Sequence, residues 1–317
     1  MPSEFDLIDR YFVRPTPQAV LGPGDDCALL APSPGMELAI TTDMLVAGTH
    51  FFADTDPYQL GWKAAAVNLS DLAAMGAQPR WLLLAGSLPK ADEAWIAAFA
   101  GGLFACAERF GANLVGGDTT RGPLNLCLTA LGELPRGTAL RRDGAQVGDD
   151  IWVSGRPGLA ALGLAQLQGR TALPETQAKR CIAALQQPIP RVELGLALRD
   201  GGLAHAAIDV SDGLLADLGH IAERSAVAAE VRAALLPSLP AGVDRDLARD
   251  CLLAGGDDYE LVFTAAPAGR TAIAALAVTL DLPLWRIGQI VAGDGVRLLD
   301  DAGQAVPLAR KGFDHFG

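Results

Sequence analysis

Aspartate recurs along this chain inside short frames of Gly, Thr or Ser. The frames are Gly24-Asp25-Asp26, Thr41-Thr42-Asp43, Asn68-Leu69-Ser70-Asp71, Gly116-Gly117-Asp118-Thr119-Thr120, Asp209-Val210-Ser211-Asp212-Gly213 and Gly255-Gly256-Asp257-Asp258. Carboxylate and hydroxyl oxygens are hard ligands that suit magnesium, and glycine-exposed backbone N–H groups suit phosphate. Each frame also has a plainer reading. A Gly-Asp pair is most often a solvated turn, Gly116-Gly117-Asp118 could be a hairpin turn, and Ser211 or Asp212 could simply cap a helix. Together the frames suggest a polyphosphate site that gathers several metal ions.

Missing motifs narrow the chemistry. The sequence has no Gly-Lys-Ser or Gly-Lys-Thr, and so no Walker A loop; it also lacks a G-x-G-x-x-G fingerprint, a histidine-containing kinase loop and a G-x-S-x-G elbow. A formal net charge of −12 over 317 residues disfavours docking on nucleic acid or an anionic membrane. If the substrate is a phosphate, acid meets acid, and cations must resolve the conflict. The five cysteines are scattered with no CxxC spacing and read as reduced thiols, with Cys27 taken for a small core residue. Four dispersed histidines make a zinc site unattractive. No apolar run is long enough to span a membrane, and Met1-Pro2-Ser3-Glu4-Phe5-Asp6 lacks the regions of a signal peptide, so a cytoplasmic location is expected.

The elements that must position these residues follow from periodicity. A short strand at 37–43 runs into Thr41-Thr42-Asp43 at its end, and a helix at 57–75 carries Asn68 and Asp71 three residues apart on one face. That helix is otherwise apolar, so the Asp71 carboxylate needs either a basic partner such as Lys63 or Arg80, or a cation. A buried strand at 81–88 and an Ala-rich helix at 91–110 follow, then strands at 113–116 and 124–133 flanking a Gly-Gly-Asp loop. The polar, turn-rich run 135–150 marks a junction between domains at 1–139 and 140–317. Beyond it, a strand at 151–154 precedes helices at 158–169, 175–187 and 191–200. A strand at 206–210 then enters a helix at 212–224, whose first N–H groups would face an anion. Later strands are expected at 259–264, 284–291 and 295–299, which makes two α/β or α+β domains.

In order, the frames resemble the thiamine-monophosphate kinase family. The resemblance runs from Glu4-Phe5-Asp6-Leu7-Ile8 to Lys311-Gly312-Phe313-Asp314-His315-Phe316. It is carried by Gly24-Asp25-Asp26-Cys27-Ala28, the run Thr42–Phe51 (TDMLVAGTHF), the run Asn68–Ala77 (NLSDLAAMGA), the run Gly116–Gly122 (GGDTTRG) and Asp209-Val210-Ser211-Asp212-Gly213-Leu214. The resemblance implies the two-domain fold of aminoimidazole ribonucleotide synthetase, with the N-terminal domains of two chains paired into a β-barrel. It implies transfer of the ATP γ-phosphoryl group to thiamine monophosphate, with several Mg²⁺ ions. The implied magnesium ligands are Asp26, Thr41, Thr42, Asp43, Asp71, Asp118, Asp209 and Asp212. Implied ATP contacts are Gly117, Arg142 and Ser211, and His50, Asp257 and Phe313 would face the thiamine substrate.

One position departs from the pattern. The family usually has Glu at the position of Asp257, in a Gly-Gly-Glu-Asp-Tyr-Glu run; Asp258 or a water could compensate for the shorter side chain here. No catalytic base is assigned, because the attacking phosphate oxygen is already ionised. Rivals within the same fold are a selenide-activating kinase, which would need a reactive cysteine near the N-terminus, and a hydrogenase-maturation protein, which would end in cysteine. A nucleotide-binding relative without turnover is the non-enzymatic rival.

Overall fold

The structure, a computed structural model, describes residues 3–238, 242–307 and 312. It divides into two compact units, Met1–Leu72 with Ala77–Thr138, and Ala139–Gly317 with Ala73–Gly76.

The first unit opens with α1 (Glu4–Tyr11), started by a capping box in which the Ser3 hydroxyl accepts the Asp6 N–H and the Asp6 carboxylate accepts the Ser3 N–H. Then follow β1 (Met36–Val46), α2 (Pro57–Ala74), β2 (Gln78–Leu88), α3 (Glu93–Arg109), β3 (Asn113–Arg121) and β4 (Asn125–Pro135). The sheet order is β1-β4-β2-β3. Strands β1/β4 and β4/β2 are antiparallel, and β2/β3 are parallel. The two helices meet through glycine: a Cβ on Gly61 would lie 2.0 Å from the Phe99 carbonyl oxygen, and one on Gly102 would lie 1.8 Å from that of Tyr58. Residues Ala64, Ala65, Ala66 and Leu69 of α2 are fully enclosed, so this helix is a central support rather than a surface one.

Two expectations change here. Strand β1 continues past Ile40 to Val46, which places Thr41-Thr42-Asp43 in mid-strand instead of at its end. β-Branched Thr41 and Thr42 favour extension, and β4 offers an unbroken partner along the whole run. Strand β3 likewise runs through Gly116-Gly117-Asp118 to Arg121, so these residues form neither a loop nor a hairpin turn.

The second unit contains β5 (Asp150–Ser154), α4 (Leu159–Leu167), α5 (Glu175–Gln186), α6 (Val192–Asp200), β6 (Ala206–Asp209) and α7 (Leu214–Arg224). It continues with β7 (Ala228–Arg232), α8 (Arg245–Ala254), β8 (Leu261–Ala265), α9 (Arg270–Thr279), β9 (Leu284–Val291) and β10 (Gly295–Leu299). The sheet order is β10-β7-β9-β5-β8-β6, parallel at β10/β7 and antiparallel at the other pairs. Alternation along the strands feeds two cores. Ile151, Val153 and Ile208 pack with Leu214, Leu218 and Ile221 of α7. Trp152, Ala207 and Phe263 pack with Leu194, Leu198 and Ile273 on the other face. A sheet covered on both faces explains why its strands read as apolar runs.

Helix α7 starts two residues later than its sequence pattern suggests, and β8 does too. The residues displaced from α7, Asp212 and Gly213, belong to an aspartate frame, and those displaced from β8, Tyr259 and Glu260, directly follow one. Among the described residues, no helix is long and apolar enough to cross a membrane.

Candidate functional site

Strand alternation divides the first unit's candidates between two faces. Thr41 and Asp43 share the face that meets α2: the Thr41 hydroxyl donates to the Asp71 carboxylate, and the Asp43 N–H donates to Asn68 Oδ1 at 3.1 Å. Asn68 is fully buried and donates its own amide to the Ala64 carbonyl at 3.1 Å, which fixes the orientation of its oxygen. Asn68 and Asp71, one helical turn apart, therefore stand over the middle of β1. Arg80 does not pair with Asp71; it bonds Glu133 at 3.0 Å.

Thr42 lies on the opposite, exposed face, where its hydroxyl shares a hydrogen bond of 2.7 Å with Thr129. Asp118 is on that face as well. It sits opposite Ala85, which is opposite Cys127, which is opposite Met44. Beside it, a Cβ on Gly117 would fall 1.9 Å from the Leu84 carbonyl oxygen, so only glycine lets β3 close against β2 at this point.

Gly24, Asp25 and Asp26 form an exposed bend between the bridged residues Leu21 and Leu29, with the Asp26 N–H donated to Asp25 Oδ1 at 2.8 Å. Cys27 is exposed in the same bend and is not a core residue. The burial falls instead on Ala28 and Leu30, which pack on Trp81, Val115 and Leu131. His50 is half-buried, and its Nδ1 accepts the Val46 N–H at 3.0 Å, so the neutral ring carries its proton on Nε2.

In the second unit the candidates stand on loops. Asp209 closes β6 and is buried, while Ser211 and Asp212 follow it half-buried. Just ahead of α7, three N–H groups are already occupied. Those of Ser211, Asp212 and Gly213 all donate to one carboxylate oxygen of Asp217, at 3.0, 3.1 and 3.1 Å. Gly213 is the N-cap residue with no side-chain cap, so neither Ser211 nor Asp212 serves as one. Burial and the nearby Asp212 push the Asp217 pKa up to about 7, against the pull of the three N–H groups.

This loop is laced to the 255–258 frame. The Asp257 N–H donates to the Ser211 carbonyl at 2.9 Å and the Tyr259 N–H to the Val210 carbonyl at 2.8 Å. Asp257 and Tyr259 both adopt left-handed backbone, at φ 66° and 51°. Such residues cost roughly 1–3 kcal/mol each and persist only where the surroundings impose them. The Tyr259 hydroxyl bonds Asp257 Oδ1 at 3.1 Å.

Asp258 does not stand in for Asp257. It accepts the Gly158 and Ala160 N–H groups at 2.6 and 3.2 Å, capping α4, and burial holds its pKa well above the usual carboxylate range. Glu260 is fixed by both arms of Arg191 at 2.6 Å and by the Ser154 hydroxyl at 2.5 Å. Arg141 forks onto Asp143 at 2.8 and 2.6 Å. Its neighbour Arg142 is exposed and makes no ion pair among the described residues. Phe313 lies outside the described residues.

Sequence reasoning missed Asp217, Tyr259, Glu260 and Arg191. Asp217 carried a usable signal, being an aspartate within the apolar stripe Leu214, Leu218 and Ile221 of α7. Among the described residues, no three His, Cys, Asp or Glu side chains form a ready metal cage. Magnesium is held through one or two carboxylates plus substrate phosphates and water. The donors present are hard oxygens throughout, so the residues fit that ion.

Comparison with known proteins identifies the family. Residues 24–134 match the model of the AIR synthase related protein N-terminal domain, and residues 146–301 match that of the C-terminal domain. The thiamine-monophosphate kinase of Escherichia coli K12 is 48% identical over 322 residues, covering 99% of this chain and 98% of the relative. The crystal structure of thiamine-monophosphate kinase from Stenotrophomonas maltophilia K279a superposes with a TM-score of 0.85 at 55% identity, covering 91% of this chain and 92% of that one. AaThiL, solved in complex with AMPPCP and TMP, gives a TM-score of 0.77 at 30% identity over 99% of this chain and 97% of its own. With a full-length match in sequence and fold, the chain belongs to the AIR synthase related family and, within it, to the thiamine-monophosphate kinases.

Proposed function

We propose that the chain transfers the γ-phosphoryl group of ATP to the phosphate of thiamine monophosphate, giving thiamine diphosphate by direct in-line transfer. The observation that carries this reading is the likeness, over 99% of the chain, to a relative solved with an ATP analogue and TMP together. Both substrates are multiply anionic near neutral pH, and an acidic protein can bring them together only with cations. Asp26, Thr41, Thr42, Asp43, Asp71 and Asp118 of the first unit, with Asp209 and Asp212 of the second, would hold Mg²⁺. When bound, Mg²⁺ neutralises charge on the phosphoryl oxygens.

The chain's own residues do the positioning. Thr41 and Asn68 hold Asp71 and the Asp43 backbone in register, so the carboxylates need little reorganisation to act. Gly117, Arg142 and Ser211 would contact ATP, with the exposed Arg142 guanidinium suited to clamp phosphate. His50, Asp257 and Phe313 would face the thiamine moiety. The acceptor oxygen is ionised before attack, so no side chain has to remove a proton, and no phosphoenzyme is formed. Incubation with ATP, Mg²⁺ and thiamine monophosphate tests the reading. Thiamine diphosphate above a no-enzyme control is expected; nucleotide binding without product would mark a non-catalytic relative.

The exposed face of β1 shows Leu38, Ile40 and Met44 at 39%, 63% and 52% exposure. We place the homodimer contact there, against a second copy of the same sheet, in a cytoplasmic enzyme. A sedimentation mass of one chain would sink that assignment.

A further inference from the structure

We infer that Asp217 is a positioning residue for the proposed phosphoryl transfer, setting the loop that carries Ser211 and Asp212 and, through it, Asp257. Three successive N–H groups converge on one oxygen of a carboxylate that is 2% exposed. These donors lie just ahead of the helix, whose N-cap is Gly213, and the fold assigns them to a side chain one turn into it. The loop is therefore shaped before any phosphate arrives, and the Ser211 and Asp212 side chains are released from capping and left half-buried.

The shape is passed on by contact. Ser211 presents its carbonyl to the Asp257 N–H at 2.9 Å. A Cβ on Gly256 would lie 2.3 Å from that same oxygen, and one on Gly213 would lie 2.9 Å from the carbonyl carbon of Ala254. With this little clearance, the 211–213 backbone cannot shift without moving the 254–257 segment. A purely structural cap would affect stability alone. A positioning residue must change how metal and acceptor are bound.

The inference rests on the proposed kinase reading for its kinetic arm only. In Asp217→Ala the three donors lose their acceptor; in Asp217→Asn an oxygen remains for them. The Mg²⁺ concentration for half-maximal rate should rise about 10- to 100-fold in Asp217→Ala, as expected for loss of an outer partner of metal ligands. The KM for thiamine monophosphate should rise with it, while Asp217→Asn retains most of the wild-type behaviour. Tyr259→Phe removes only the hydroxyl on Asp257 and should raise the acceptor KM without changing the Mg²⁺ dependence.

Hydrogen exchange at the amides of residues 211–213 reads the same clamp without turnover. It should quicken in Asp217→Ala and stay slow in Asp217→Asn. A folded Asp217→Ala with unchanged Mg²⁺ dependence and unchanged exchange overturns the inference. An Asp217→Asn variant whose Mg²⁺ requirement rises about 10-fold or more, the size of effect expected of a lost outer partner, overturns it too, and that arm stands on its own if Asp217→Ala fails to fold. A wild-type protein that makes no thiamine diphosphate while its 211–213 amides remain protected counts against the reaction and leaves the clamp standing.

Discussion

Apart from Asp26 in its bend, the first unit holds its candidate ligands on regular elements, and the second holds them at and beyond the ends of elements. Thr41, Asp43 and Asp71 stand on β1, which pairs with β4 along its whole length, and on α2. Asp209, Ser211, Asp212 and Asp257 stand where β6 and α8 end, on backbone kept in place by Asp217, by mutual N–H to carbonyl bonds and by left-handed residues. One unit gains precision from regularity. The other needs dedicated carboxylates, Asp217, Asp258 and Glu260, whose task is to hold other residues still.

The largest expected effect concerns the ligands themselves. Asp71→Asn and Asp212→Asn should each lower phosphoryl transfer by more than about 100-fold, beyond the usual cost of losing an outer partner. Both should stay folded, because neither residue belongs to the apolar cores. Raised Mg²⁺ should partly restore each, and near-wild-type turnover in either would remove that residue from the metal site.

A middle-sized effect separates the two designs. Glu260→Gln leaves Arg191 without its partner and should cost about 3 kcal/mol, the low end for breaking a buried pair because Arg191 is partly exposed. It should also raise the KM for thiamine monophosphate, since Glu260 adjoins the loop bearing Asp257. Glu133→Gln breaks a comparable set with Arg80 and Ser33 in the first unit, but there denaturation should move and KM should not. Equal KM values for both variants would erase the distinction between the units.

The smallest effect is shared by both. Burial raises the pKa of Glu133, but Ser33 and Arg80 outweigh it; burial raises that of Asp150, but Arg270 and Arg286 outweigh it. Both carboxyls therefore lie below their ordinary values of 4.5 and 3.8. Depressed folded values stabilise above the unfolded pKa, and that stability is lost as pH falls through the folded pKa. Their contribution to the Tm should be lost on acidification below about pH 5, while the raised Asp217 and Asp258 act in the opposite sense. Asp150→Asn should flatten the slope, and an unchanged slope would discount the Asp150 contribution.

How much could be read in advance follows the same division. Periodicity located β1, α2, β2 and α3, and the three-residue spacing placed Asn68 and Asp71 on one face. Periodicity could not say that β1 would run through the polar Thr41-Thr42-Asp43 to Val46, because that length depends on β4 as a partner far away in sequence. Nor could it separate Thr42 from Thr41 and Asp43 by face until the strand's extent was known. In the second unit, β7 is five residues long and Ala-rich, and α8 opens on charged residues, so neither stands out. The Asp217 clamp was hidden for another reason. Sequence shows which groups can donate and accept, but whether a helix-start N–H meets a ligand or an internal carboxylate is decided by geometry.

Gly61 and Gly102 carry a consequence for the rigidity of the first unit. Where α2 and α3 touch there, backbone meets backbone with no intervening side chain. Such a joint has no rotamers to freeze on folding and none to hop afterwards. The helix bearing Asn68 and Asp71 is therefore seated on a bearing without play, and its stiffness demands little conformational entropy. A single added methyl group would act as a wedge, tilting the carboxylate away from the strand it faces.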